Sequence, residues 1–229
     1  MAKTAAGKGL SAFDKLWKAR DGKGNAEKAI EGLNAACADD PKGYEAHWKL
    51  ARACWWLSDM TEDTGKKKQL GEKGRDAGRK AWQIEEGSVE GHIWYAAALG
   101  EYGLGISIAK AIWQGLDGDF RKHAERAIAI DKGYDGAAPL RALGRFYSKL
   151  PWPKQDLKKS EQLLREAIDV APERLLTRLY LAETLDALGR KDEAKKEIDS
   201  LLKLKAKPDE AADEDEYKKR AKAALARLK

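Results

Sequence analysis

Two cysteines in 229 residues cannot build a disulfide framework. Cys37 and Cys54 fall on neighbouring predicted helices, so a single bridge is geometrically conceivable, and two buried thiols are the simpler expectation. Histidine is almost as scarce: His47, His92 and His123 are too dispersed to form a metal set. No apolar run approaches the ~20 residues that span a bilayer; the longest is Ile93 to Leu99. The first nine residues carry lysines without the apolar centre of a signal peptide, and no lipid-attachment cysteine follows. As written, the chain reads as cytoplasmic, and as periplasmic if a leader once preceded it. Gly71, Gly74 and Gly78 lack the lysine and hydroxyl residue that end a phosphate-binding loop, and read instead as sites of close helix packing. No nucleophile lies at readable spacing from a base. The expectation is a protein without catalytic residues, metal or cofactor.

Charge is abundant. Asp, Glu, Lys and Arg make up 36% of the chain, with a net charge of +6. A basic balance points to acidic partners or nucleic acid. However, the two signs alternate closely, as in Lys191–Asp192–Glu193–Ala194–Lys195, which describes solvated helix faces. No compact arginine patch with interleaved aromatics marks a nucleic-acid surface.

Small residues recur in a ladder. Ala36, Ile84, Ala127, Ala167 and Leu201 are 48, 43, 40 and 34 residues apart, and each is framed seven residues before and five after, as in Ala29–Ala36–Pro41 and Ser160–Ala167–Pro172. Periods of this size signify a repeat array, in which each unit packs mainly on its neighbours. In the first unit Leu10, Phe13, Leu16 and Trp17 form an amphipathic stripe, Asp21 to Gly24 breaks it, and Asn25 is expected to cap a second helix that Pro41 stops. Leu16, Gly24, Ala29, Ala36 and Pro41 are separated by 8, 5, 7 and 5 residues. Leu181, Gly189, Ala194, Leu201 and Ala206 repeat that arithmetic in the last unit. A glycine that reverses the chain and a small residue early in the second helix let two helices approach closely. This pattern resembles the tetratricopeptide repeat (TPR), which predicts an all-α, right-handed helical solenoid of about five helix pairs forming one elongated body. The expected units are 10–41, 44–89, 91–132, 135–172 and 174–207. The segment 209–229 runs from acidic to basic, as suits a terminal capping helix, with a charge-segregated disordered tail as the alternative.

The middle units carry about fourteen, nine and six residues beyond a 34-residue repeat. They comprise a long second helix from Lys66 to Glu85, an extra helical piece at Ile106 to Leu116, and the non-helical insert Leu150–Pro151–Trp152–Pro153. The segments WKLARACWWLSD (48–59), GHIWYAAALGEYG (91–103) and LGRFYSKLPWP (143–153) occur in that order. Together they resemble two groups of divergent TPR proteins, the TatT-type component associated with TRAP transporters and the regulator-of-microtubule-dynamics family. The first resemblance implies a homo-oligomeric transport accessory that binds a small solute or a solute-binding protein. Neither group supplies a catalytic motif.

Eight tryptophans are many for this length, and Trp48, Trp55, Trp56, Trp82, Trp94 and Trp113 crowd the second and third units. Trp55 and Trp56 are adjacent, about 100° apart on a helix, so they cannot share one face. With Arg52 one turn away, and Arg141 and Arg145 one turn apart in unit four, the residues expected to line a concave groove for a protein or peptide are Trp48, Arg52, Trp55, Trp56, Trp94, Tyr102, Arg141 and Arg145. The expected function is a scaffold or adaptor, with self-association through exposed tryptophans as a further expectation. His47 and His92, each just before a tryptophan in successive units, are expected to stack and to serve as packing or rim residues.

Overall fold

The computed structural model describes residues 5–228, with side chains from Leu10 onward. Its elements are α1 (Ala5–Lys18), α2 (Asn25–Asp39), α3 (Tyr44–Asp59), α4 (Thr64–Ile84), α5 (Val89–Ile106), α6 (Ile108–Trp113), α7 (Leu116–Asp131), α8 (Tyr134–Lys149), α9 (Leu157–Val170), α10 (Leu175–Ala187), α11 (Lys191–Lys203), a 3₁₀ turn (Ala211–Asp213) and α12 (Glu214–Arg227). Among the described residues the fold is an all-α, TPR-like helical repeat of five helix pairs, with the short α6 inserted in the third, and a terminal helix. None of the described helices is long and apolar enough to cross a membrane. Two compact units divide the chain, the first ending at Ile130 and the second starting at Asp131.

Three connections between pairs share one construction. The amide four residues after a buried alanine closes the helix on that alanine's carbonyl: Asp40 on Ala36, Glu85 on Ala81 and Ala171 on Ala167. The carbonyl one residue further on, of Pro41, Glu86 or Pro172, then accepts from the fourth residue of the next helix. Those donors are His47 Nε2 (3.1 Å), His92 Nε2 (2.9 Å) and Arg178 Nη2 (3.0 Å). This geometry corrects the ladder in the second repeat. Its rung is Ala81, fully buried, while Ile84 is 36% exposed at the helix end. The successive spacings become 45, 46, 40 and 34 residues.

In the first unit, α4 and α5 pack antiparallel with glycines set against large residues. A Cβ on Gly71 would lie 2.3 Å from the Tyr102 amide nitrogen, and one on Gly78 would lie 2.6 Å from the Tyr95 Cα. In return, Gly91 faces Trp82 at 2.7 Å and Gly105 faces Lys68 at 2.4 Å. Every close approach therefore has a bare backbone on one side. Asn25 does not act as the expected cap. Gly24, at φ 77°, precedes α2, and the Asn25 side chain turns back to donate to the Ala19 carbonyl.

The second unit opens on an irregularity. Asp135, Gly136 and Ala137 all have left-handed backbone angles, a conformation costing roughly 1–2 kcal/mol per non-glycine residue. Arg141 holds this turn by donating to the Gly136 carbonyl at 2.8 Å. At the other end, Tyr217, Ala221, Ala224 and Leu228 form the buried stripe of α12 and its C-cap. The preceding loop reaches back to α10, where the two Glu210 oxygens accept from the first two helical amides, Leu175 (3.1 Å) and Leu176 (3.3 Å). Asp209 pairs with Arg174 alongside. Within the expected terminal segment, the docked helix runs from Glu214 to Arg227 after the 3₁₀ turn. The Leu150–Pro153 insert is non-helical, as its prolines require.

Candidate functional site

In the first unit the first helices of successive pairs, α1, α3 and α5, bring together one group of the expected residues. The Arg52 guanidinium lies 4.8 Å from the Trp17 ring and 5.0 Å from the Trp94 ring, so a cation on α3 bridges an aromatic on α1 to one on α5. Trp55 leans on Trp94 with ring centroids 5.3 Å apart, and Trp56 meets Trp17 edge-on at 6.1 Å. Arg20 also lies over the Trp17 ring, at 4.6 Å. Arginine between indole faces is favourable because the ring quadrupole attracts cations, the more so where water is thinned.

The eight expected residues fall into distinct environments. Trp48, Arg52 and Trp55 are half-buried. Trp56 and Trp94 are closed in the core, Trp94 at 2% exposure, so they back the others and have no free face for a partner. The adjacent indoles do split between two environments, as their helical angle demands. Tyr102 stands apart, packed over Gly71 at the α4–α5 seam with Arg75 on its ring at 4.6 Å. Arg141 is buried and spends its guanidinium on the left-handed turn.

Arg145 belongs to the second unit. It lies 4.1 Å above the Tyr180 ring and pairs with Glu183. Both border a cavity of about 360 Å³ between α8, α10 and α12, which Lys149, Asp186 and Arg227 also line. Burial, and then the neighbouring Arg145, hold the Lys149 ammonium below its usual range, while Glu183, 3.9 Å away, pulls the other way. The recurrence of Arg141, Arg145 and Lys149 every fourth residue was a readable sign of one basic helix edge. The contributions of Glu183, Asp186 and Arg227 were not, because they arrive from other helices.

Two buried polar clusters lie in the first unit. Ser58 donates to Glu101 (2.9 Å), and Lys67 pairs with the same carboxylate at 3.1 Å, tying α3, α4 and α5 together. Burial pushes the Glu101 carboxyl up, and Lys67 pulls it down. The second cluster holds His92, whose ring partner is His123 on α7 rather than His47; their Nδ1 atoms are 2.7 Å apart. No group of three His, Cys, Asp or Glu among the described residues could hold a metal. Cys37 and Cys54 are both free thiols, Cys54 buried and Cys37 half-buried.

Comparison with known proteins agrees with this architecture. The chain is similar to the crystal structure of a thermophilic TPR protein of Thermus thermophilus, with a TM-score of 0.73 at 18% identity over 96% of this chain and 99% of that one. It is 32% identical over 83 residues to Regulator of microtubule dynamics protein 3 of Mus musculus, covering 36% of this chain and 17% of that protein. Against the Bos taurus protein of the same name it is 27% identical over 174 residues, 69% of this chain and 36% of the relative. The chain therefore spans well under half the length of these relatives. Of the two groups the sequence resembles, these matches fall on the microtubule-dynamics side, and the TRAP-transport reading gains no support from them. The model of the family described as Regulator of microtubule dynamics protein 1-3 matches residues 10–159, more than half of the chain, which belongs to that family.

Proposed function

We propose that this chain is a non-catalytic scaffold that binds a protein or peptide through the α1–α3–α5 face, with Trp48, Arg52 and Trp55 as the contact residues. The observation that carries this reading is the Trp17–Arg52–Trp94 stack with Trp55 at its edge. Its aromatic and arginine side chains are already held in place by one another, so little rotamer freedom is lost on binding. Arg145 and its cavity supply a second contact region in the other compact unit.

Trp55→Ala should weaken partner binding about thirtyfold, a loss of about 2 kcal/mol for an anchoring aromatic, with helicity unchanged. Arg145→Ala should weaken it to a smaller degree. Quantitative affinity capture from the native cell, comparing wild type with each variant, reads the first quantity, and circular dichroism reads the second. Loss of binding together with helicity would make Trp55 a core residue and sink the assignment. The relatives' name makes microtubules the first purified probe, in a co-sedimentation assay. Self-association is a finer part of the proposal, resting on Trp113 and Trp152, which are 85% and 88% exposed. A concentration-independent monomer mass in light scattering would remove it.

A further inference from the structure

The histidine cluster carries a second inference, independent of any partner. His92 and His123 are both buried, and Trp82 stacks on His92 with centroids 6.0 Å apart and touches His123 at 4.9 Å. Tyr95 stands edge-on to His123 at 4.6 Å, and its hydroxyl donates to the Asp119 carboxylate. The proton positions follow from the partners. The Glu86 carbonyl can only accept, so His92 Nε2 carries hydrogen and a neutral His92 has a bare Nδ1. The 2.7 Å contact then requires that His123 donate from Nδ1, which leaves His123 Nε2 bare, 3.6 Å from Asp119 Oδ1. One added proton fits at that nitrogen as an ion pair with Asp119. A second, on His92 Nδ1, would set two N–H groups head to head across 2.7 Å.

We propose that the His92–His123 contact is a proton-gated latch that holds α7 against α4 and α5 when both imidazoles are neutral and releases it when they are protonated. The docked state has room for one extra proton. Once α7 separates, both rings meet water and each takes up a proton near its ordinary value of about 6.5. Acid therefore favours the open form by mass action. The charges facing the pair are balanced. Lys122 and Arg126 from α7 oppose charge on the pair, Glu86 from the α4–α5 turn and Asp119 from α7 favour it, and Arg79 from α4 acts on the neighbouring Tyr95, so burial and the head-to-head N–H contact set the direction. Burial outweighs the attraction of Asp119 and, with smaller contributions from His92 and Lys122, lowers His123 to about 4; burial lowers His92 as well. The window of sensitivity thus lies between about pH 6.5 and pH 4.

The test is nitrogen-15 NMR of histidine-labelled protein, with amide hydrogen exchange followed across pH. At pH 7.5 His92 should be the Nε2–H tautomer, His123 the Nδ1–H tautomer, and both neutral. From pH 6.5 to 4.5 the opening constant of α7 amides should rise between about tenfold and a hundredfold per pH unit, with α1 to α3 unchanged. His123→Gln and His92→Gln should each reduce that pH dependence. Either imidazole charged at pH 7.5, both rings in the Nε2–H form, or an α7 opening constant flat down to pH 4.5 would overturn the latch. If neither variant folds, the wild-type tautomers and exchange profile decide alone.

Discussion

Replacing Gly71 by alanine, a single methyl group, is expected to cost the first unit at least ~3 kcal/mol, at the upper end for overpacking a filled core. The added carbon would sit 2.3 Å from the Tyr102 nitrogen and 2.6 Å from its Cα, and neither can be moved without moving α5. Exposed side chains relieve such clashes by changing rotamer, whereas two helix backbones in contact have no such freedom. Relief would require the helices to separate, which would also loosen Gly78 on Tyr95 and Gly91 on Trp82. Gly87→Ala is the matched control, since a Cβ there meets nothing within 4 Å. It should leave stability unchanged or raise it by about 0.5 kcal/mol through a stiffer unfolded chain. Urea denaturation followed by circular dichroism reads both. Equal midpoints for Gly71→Ala and wild type would show that the helices tolerate a wider seam.

Glu210→Ala should destabilise the second unit by about 2–3 kcal/mol, combining loss of a helix cap with two buried amides left without acceptors. The carboxylate sits at the positive end of α10, and α10 has no side-chain cap of its own. Glu210→Gln keeps one acceptor but turns an N–H toward a second amide, so an intermediate loss is expected. Glu166→Ala, which removes only an exposed pair with Lys132, should stay within about 0.5 kcal/mol. Thermal melts separate these outcomes, since each kcal/mol corresponds to about 4–8 °C in a body of this size. A Glu210→Ala protein that melts with wild type would mean that α12 docks without this contact.

The periodic features were legible in the sequence because they are local. The amphipathic stripe of α1, the glycine breaks, the proline insert and the acidic-to-basic order of the last helix each depend on residues within two or three turns. The glycines at 71, 74 and 78 were correctly read as close packing, although the residues that meet them were not readable. In the second repeat the ladder was set three residues late, because in sequence Ile84 fits an aliphatic position as well as Ala81 does, and only their burial and the hydrogen bond from Glu85 distinguish them. The site was legible in part for a similar reason. Composition placed Arg52 and the tryptophans in one region, but which indole is enclosed depends on Trp17 arriving from another helix. The His92–His123 contact spans 31 residues and follows no motif, so no spacing rule could have found it.

The side-chain bond that closes each connection, from His47, His92 or Arg178 to a carbonyl six residues upstream, has an evolutionary consequence. Each is completed inside a single turn and the first coil of the helix that follows. A lengthening elsewhere in a unit, such as the 21-residue α4, therefore transmits no phase error to the next start point. Units can differ in loop and helix length while the junctions stay in step, and a donor six residues after the turn carbonyl is a punctuation mark by which diverged units could be aligned.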